Sequence, residues 1–238
     1  MEDALLAWYR EHGRDLPWRK TSDPYAILVS EVMLQQTQVS RLIPRYVTWL
    51  ERWPTASDLA VAPLADVVRA WQGLGYNRRA VKLHEAARRI AAEGWPDELT
   101  ELPGVGRYTA DAVGRFAFDR AVLPVDTNAR RVTERTGAQF GPAAAHALMD
   151  LGATVCLARV PRCERCPLAA ACPSRGRRFP AARKQPRFEG SFRQRRGQAL
   201  RLVAARPRQL EELDAEAARA LHSDGLVVIE DGEVALPP

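Results

Sequence analysis

All four cysteines of the chain lie in one stretch, CLARVPRCERCPLAAAC, as Cys156, Cys163, Cys166 and Cys172. Thiols that merely fill a core are scattered. Four of them in a C-x6-C-x2-C-x5-C pattern oblige a short segment to fold back on itself around a shared centre. In a reducing compartment disulfides do not persist, so the pattern implies four thiolates on a soft metal, either zinc or an iron-sulfur cluster. Four-cysteine zinc sites usually carry two C-x2-C pairs. This stretch has one, with long outer spacings and no histidine inside it; His146 is the nearest. The spacing therefore favours a 4Fe-4S cluster. No redox-partner motif accompanies it, so the expected role is a staple that stiffens the loop, with Arg159, Arg162 and Arg165 facing outward.

The 238 residues leave room for about one to three compact units. The opening MEDALLAWYREHGRDLPW carries charges where a signal peptide needs an apolar stretch, and no run approaches the ~20 apolar residues of a membrane span. The expected location is the cytoplasm, with no membrane partner. The net charge of +6 is unevenly spread: residues 173 to 208 hold twelve Arg and Lys against one acid, Glu189, while residues 209 to 238 hold eight acids and one Arg. Such a basic stretch suits a polyanion, nucleic acid first, or else is a solvated linker.

From Asp3 to about Ala121 apolar residues recur at helical spacing without an internal repeat, which predicts an all-α body. DPYAILVSEVMLQQ opens with Asp23 as N-cap and Pro24 at the first helical position. TASDLAVAPLADVVRAW and NRRAVKLHEAARRIAAEG are further helices, with breaks at Gly73, Gly75 and Gly94. The end of the chain differs. SFRQRRGQALRLVAA and LEELDAEAARALHSDG predict two helices, and LVVIEDGEVALP a hairpin turning on Asp231-Gly232. Helix, helix, hairpin outlines a small winged-helix-like α+β unit, joined to the body by the Pro- and Arg-rich SRGRRFPAARKQPRFEG. Its Arg193, Arg195 and Arg196 are expected to meet phosphate.

ELPGVGRYTADAVGRFAF places Pro103-Gly104-Val105-Gly106 between a short helix and a longer one beginning near Arg107. Its glycines allow close backbone approach, and the amides opening the second helix would cradle an anion; the bland alternative is a tight helix-helix corner. Glu31 follows the apolar run Tyr25 to Val29 and shares a helix face with Ile27, Leu34 and Gln35. Buried there, a carboxyl holds its proton more firmly than in water, as a general acid near neutral pH must. Periodicity alone argues the opposite, a Glu on the wet side of a helix. Asp126, in AVLPVDTNARRV, stands where Asp is a preferred N-cap, and backbone N-H groups donated to it would keep it ionised. One protonated acid and one charged acid form the pairing that breaks glycosidic bonds.

In this order, SEVMLQQTQV, GLGYNRRA, LPGVGRYTA, VDTN, MDLGATVC and the cysteine run resemble the helix-hairpin-helix DNA glycosylases, most closely the MutY-type adenine DNA glycosylases, over about residues 3 to 175. The resemblance implies a six-helix barrel carrying the hairpin (22-118) and an iron-sulfur domain (1-21 and 119-175); the pattern of the remainder adds a basic linker (176-190) and the winged-helix-like C-terminal unit (191-238). It implies a monomeric base-excision enzyme at the bacterial nucleoid. That enzyme flips adenine mispaired with 8-oxoguanine or guanine out of double-stranded DNA and hydrolyses its N-glycosidic bond. By matching position, Glu31 protonates the adenine, Asp126 stabilises the oxocarbenium-like sugar, and Asn128 positions the carboxylate or water. Gln35, Gln36 and Thr37, on the helical turn after Glu31, and Tyr76 of GLGY face the gap or the orphaned partner. Gly104, Val105, Gly106 and Arg107 meet the DNA backbone, and the four cysteines hold a 4Fe-4S cluster. Tyr108 stands where endonuclease III relatives carry a lysine that forms a Schiff base. A phenol cannot do so, which implies a monofunctional enzyme without β-lyase activity.

Three departures accompany the likeness. The 66 residues after Cys172 are too few for a Nudix-like domain, only 29 residues separate Asp126 from Cys156, and Tyr108 replaces a common Ser. A thymine or uracil mismatch glycosylase would share the hairpin, Tyr108 and the cluster. A non-catalytic DNA-binding or redox-sensing iron-sulfur protein would have no need of both acids.

Overall fold

Residues 24 to 34 form a helix that is apolar almost all round, so it can only be an interior element. In the computed structural model, which describes residues 1-180 and 186-238, every residue from Tyr25 to Met33 is buried. In chain order the helices are α1 (Glu2–His12), α2 (Pro24–Leu34), α3 (Val39–Arg52), α4 (Ala56–Ala60), α5 (Leu64–Ala70), α6 (Arg78–Glu93), α7 (Arg107–Phe118), α8 (Thr127–Thr136), α9 (Ala145–Thr154), α10 (Phe192–Ala205) and α11 (Ala215–Ser223). Three short strands follow the same numbering: β1 (Arg208–Gln209), β2 (Val228–Glu230) and β3 (Glu233–Ala235). Among the described residues no helix is long and apolar enough to cross a membrane.

The chain divides into two compact units, residues 1-24 with 106-184 and residues 25-105 with 185-238. The division at Val105/Gly106 puts α7 in the first unit, where the sequence placed a boundary after Phe118. Residues 181-185 of the expected linker 176-190 lie outside the described residues.

In the second unit α3 lays Leu42, Tyr46 and Trp49 inward, and the Trp49 indole N–H donates to the Tyr25 hydroxyl at 3.2 Å, fixing α3 on α2. Trp53 and Trp71 meet the Trp49 ring edge-on at 4.7 and 5.4 Å between centroids, the favoured aromatic geometry. The C-terminal segment packs on this body. Ala199, Leu200 and Val203 of α10, Leu221 of α11 and Val234 of β3 form one apolar cluster with Val68 of α5 and Val81 of α6. The expected hairpin is present, with both Asp231 and Gly232 at positive φ as its tight turn requires. β1, two residues long and carrying no apolar alternation, adds an unforeseen third strand in the order β1-β3-β2.

Arg193, Arg195 and Arg196, expected to meet phosphate, have partners within the segment. Arg195 pairs with Asp214 at 2.8 Å and Glu216 at 3.1 Å, Arg196 pairs with Asp224, and Arg193 donates to the Pro186 carbonyl and lies over the Phe188 ring. Arg195, Arg196 and Arg208 of the basic stretch are thus paired with acids of the chain's acidic end.

The core of the first unit is Leu5 of α1, Ala129 and Val132 of α8, Leu148 and Leu151 of α9, and Leu168 of the cysteine stretch. Its fixed polar point is Asp150 on α9, fully buried. The Arg19 guanidinium binds both carboxylate oxygens at 2.7 Å, and Arg14 adds its backbone N–H at 2.8 Å and Nε at 2.7 Å. Burial pushes the Asp150 carboxyl up, but these arginine bonds outweigh it and hold it below its ordinary value. One turn before it, His146 stacks on Phe116 at 4.0 Å, and burial drops its pKa to about 4.

A neutral buried histidine binds fewer protons folded than unfolded, so stability falls as pH drops from the unfolded value of 6.5 towards about 4. The slope is on the order of 1 kcal/mol per pH unit. His146→Phe should flatten the urea-denaturation midpoint between pH 7 and pH 5. The Asp150 contribution, lost only as pH falls through its depressed folded value, should persist in that variant down to more acidic conditions.

Candidate active site and cysteine loop

Glu31 sits two-thirds of the way along α2 and is only 6% exposed. Periodicity fails here because α2 is enclosed on all sides and has no wet face, so its one carboxyl is interior whichever way it points. The helix ends at Leu34, where the Thr37 N–H donates to the Leu34 carbonyl at 3.1 Å and Gln36 turns to φ +58°. Gln35, Gln36 and Thr37 therefore occupy the turn between α2 and α3, not a further turn of the helix as the sequence suggested.

Tyr76 ends the tight segment between α5 and α6, at φ +47° and 45% exposed. Gly104 has φ +77°, and a Cβ built on it would stand 2.7 Å from the Lys82 Cβ, so no other residue fits between the hairpin and α6. Val105 is buried and donates its N–H to the Leu102 carbonyl. Gly106 then serves as the N-cap of α7 with no side chain to close it, and the Arg107 guanidinium is exposed and paired with Asp111 at 3.1 Å. Gln35, Arg78, Arg79, Lys82 and Gly104 line one cleft of about 210 Å³ within the second unit. Tyr108 lies half-buried in the first turn of α7.

In the first unit Asp126 is the N-cap of α8, its Oδ1 accepting the Ala129 N–H at 2.6 Å. Its Oδ2 accepts from the Asn128 side-chain amide at 2.8 Å. The Asn128 Oδ1 in turn accepts from Arg131 Nη2 at 2.7 Å. Arg131 continues to the carbonyl of Gly152 at 2.7 Å and, through Nε, to the carbonyl of Cys156 at 2.7 Å. Capping aspartate and first cysteine are thus joined by an unbroken line of hydrogen bonds. Burial lowers the Arg131 pKa, with Cys156 and Asp126 opposing that fall.

All four cysteines are half-buried and free of disulfides. Arg135 Nη1 donates to the Cys156 Sγ at 3.4 Å and to the Leu157 carbonyl at 2.7 Å, and its guanidinium covers the Phe179 ring at 3.5 Å. The Gly176 N–H donates to the Cys163 Sγ at 3.3 Å. Burial pushes the Cys166 thiol up, and the other three sulfurs add to that rise despite a backbone hydrogen bond at Leu168. Among the described residues no three His, Cys, Asp or Glu side chains converge as ligands of a single metal ion. Arg79, Arg131 and Arg135 were missed in the sequence because most of their partners are main-chain carbonyls, which leave no residue signature.

Residues 29-148 match the model of the HhH-GPD superfamily of base excision DNA repair proteins, and the chain belongs to that superfamily. Within it, the chain is 45% identical to the adenine DNA glycosylase of Mycolicibacterium smegmatis over 98% of its own length and 94% of that protein. It is 43% identical to that of Mycobacterium tuberculosis over 98% and 92%, and 40% identical to the human one over 73% of this chain and 39% of that protein. These relatives agree with the MutY-type resemblance of the motifs. Among solved structures the fold is similar to a thermostable thymine-DNA glycosylase, with a TM-score of 0.65 and 28% identity over 72% of this chain and 93% of that one. A trapped endonuclease III-DNA covalent intermediate shares the fold at a TM-score of 0.62 and 23% identity, over 72% of this chain and 92% of that one.

Gly152 is what lets α9 lie close to α8. A Cβ there would meet the Asn128 Cβ at 2.6 Å and its carbonyl oxygen at 2.7 Å, so the helices would have to part. Gly152→Ala is expected to lower stability by about 1-3 kcal/mol in urea denaturation. An unchanged midpoint would show that the two helices tolerate separation.

Proposed function

We propose that the chain is a monofunctional adenine DNA glycosylase that excises adenine mispaired with 8-oxoguanine or guanine. The observation that carries this reading is the pair of unlike acids. Glu31 is enclosed in an apolar helix, from which a proton can be delivered out of reach of water, while Asp126 caps α8 with both carboxylate oxygens accepting, from the Ala129 N–H and the Asn128 amide. Glu31 gives its proton to the extruded adenine, at N7. The electrons of the C1′-N9 bond then leave with the base, and Asp126 balances the cationic sugar. Water adds at C1′, and the proton it loses goes to Asp126. Tyr108 offers no amine to the opened sugar, so the strand stays intact. Gln36, Thr37 and Tyr76 attend the gap and the orphaned base, and the Gly104-Val105-Gly106 hairpin the DNA backbone. The likeness to a thymine-DNA glycosylase structure favours a second reading, thymine mismatch excision, but at 28% identity against 45% for the mycobacterial adenine enzyme.

The cysteine residues suit a 4Fe-4S cluster. The sulfurs interact electrostatically, N–H donors aim at Cys156 and Cys163, and a thiol pushed up by burial is one a bound cation would bring back to thiolate. In a polynuclear centre each thiolate binds its own iron, so the four sulfurs need not converge on one point. Cys156, Cys163, Cys166 and Cys172 would hold the cluster, which when bound closes the loop covalently. The chain's own part is to tie that loop to α8 through Arg131 and Arg135.

The test is single-turnover excision on duplexes bearing A:8-oxoguanine, A:G, T:G and U:G. Release of adenine is expected from the first two only, and thymine release without adenine release overturns the proposal. Glu31→Gln should lower adenine release by at least ~100-fold with duplex affinity nearly unchanged. The purified protein should be yellow-brown, with about four iron atoms per chain. A colourless zinc protein would refute the cluster.

A further inference from the structure

Gln36 and Tyr76 share an uncommon trait. Both hold φ in the left-handed region, at +58° and +47°, although each carries a full side chain. Such a conformation is unfavourable and endures only where the surroundings over-determine it. The two positions lie in different turns, after α2 and before α6, and one side chain holds both turns. The Arg79 Nη1 donates to the carbonyls of Val32 at 2.6 Å and Met33 at 3.2 Å. Its Nη2 donates to those of Gly75 at 2.9 Å and Leu74 at 3.4 Å, and its Nε to that of Tyr76 at 3.3 Å.

All five N–H donors of the guanidinium are therefore used, each on a main-chain carbonyl, and each acceptor lies within four residues of a left-handed one. The Val32 and Met33 carbonyls belong to the last turn of α2, where intrahelical donors have run out and a positive charge is favoured. The guanidinium lies over the Trp71 and Tyr76 rings, with 5.3 and 5.7 Å to their centroids. Among the described residues no carboxylate pairs with Arg79. A lysine would bring three donors on one nitrogen and could not serve two turns at once.

We propose that Arg79 is a positioning residue that fixes the separation of Gln36 and Tyr76, and through it the recognition of a mispaired adenine. The inference rests on the reading that these two residues face the duplex. Losing the clamp leaves the basic surface in place but lets the two turns drift independently. Target recognition should then suffer, while attraction to undamaged DNA does not.

The experiment compares full-length Arg79→Lys and Arg79→Met with the parent on A:8-oxoguanine and A:G duplexes, and repeats Arg79→Met in a Gln36→Ala/Tyr76→Ala background. Single-turnover excision should fall at least 10-fold in both single variants, with affinity for an undamaged duplex within about 3-fold. In the background already lacking the two side chains, Arg79→Met should cost less than 3-fold, the non-additivity expected of residues acting as one unit. An undiminished rate in either single variant, or an equal loss in both backgrounds, overturns the proposal. If Arg79→Met does not fold, the same cycle run with Arg79→Lys decides. Should Gln36→Ala/Tyr76→Ala alone leave excision unchanged, the duplex-facing reading of those residues falls first, a result separable from any effect of Arg79.

Discussion

The close approach of α9 to α8 is the constraint on which the chemistry of the first unit depends. Gly152 removes the Cβ that would collide with Asn128, and only at that spacing can the Arg131 fork reach the Asn128 side chain and the carbonyls of Gly152 and Cys156 together. Asp126 gains an orientation from this that an N-cap alone does not supply. A cap needs one carboxylate oxygen; the second, held by Asn128, fixes the plane of the group. The same fork that orders the aspartate steadies the first cysteine of the loop, so the geometry of the carboxylate and the closure of the loop are one problem with one solution. The half-buried Arg131 also sets a positive charge between them, whose desolvation both Asp126 and Cys156 help to offset.

Glu31 shows a different economy. Its helix is buried on every side, and an interior helix with a single carboxyl must accommodate an acid that contributes nothing to apolar packing. The same functional group thus stands in two unlike settings, enclosed in a helix at Glu31 and capping a helix at Asp126.

How far this was legible in the sequence differs from element to element. Asp126 was read correctly as a cap because capping is local: the apolar run, the Asp and the helix are contiguous. The Asp231-Gly232 hairpin was legible for the same reason, its turn chemistry being written in two residues. Glu31 was misjudged by periodicity, which presumes that a helix has a wet side and fails where α2 has none. Nothing in a run of glutamines announces the positive φ at Gln36, and the donor that the last-turn carbonyls of α2 find there, Arg79, lies over forty residues away. Arg79, Arg131 and Arg135 escaped notice together, since a guanidinium that binds carbonyls has no complementary residue type to be found.

The charge pattern of the C-terminal segment was seen correctly and interpreted too simply. A basic stretch followed by an acidic one looks like a polyanion-binding arm with an unrelated tail. In the folded segment Asp214, Glu216 and Asp224 lie against Arg195 and Arg196, and Arg78 of α6 reaches Asp224 at 3.9 Å. Partly exposed pairs of this kind add little stability individually, but they neutralise the segment's charge and fix its register on α6. Leu200, Leu221 and Val234 complete an apolar cluster with Val68 and Val81, so α6 is braced along the same length that presents Arg79 and Lys82. The C-terminal residues therefore brace α6, and Arg195, Arg196 and Arg208 of the segment pair with its own acids.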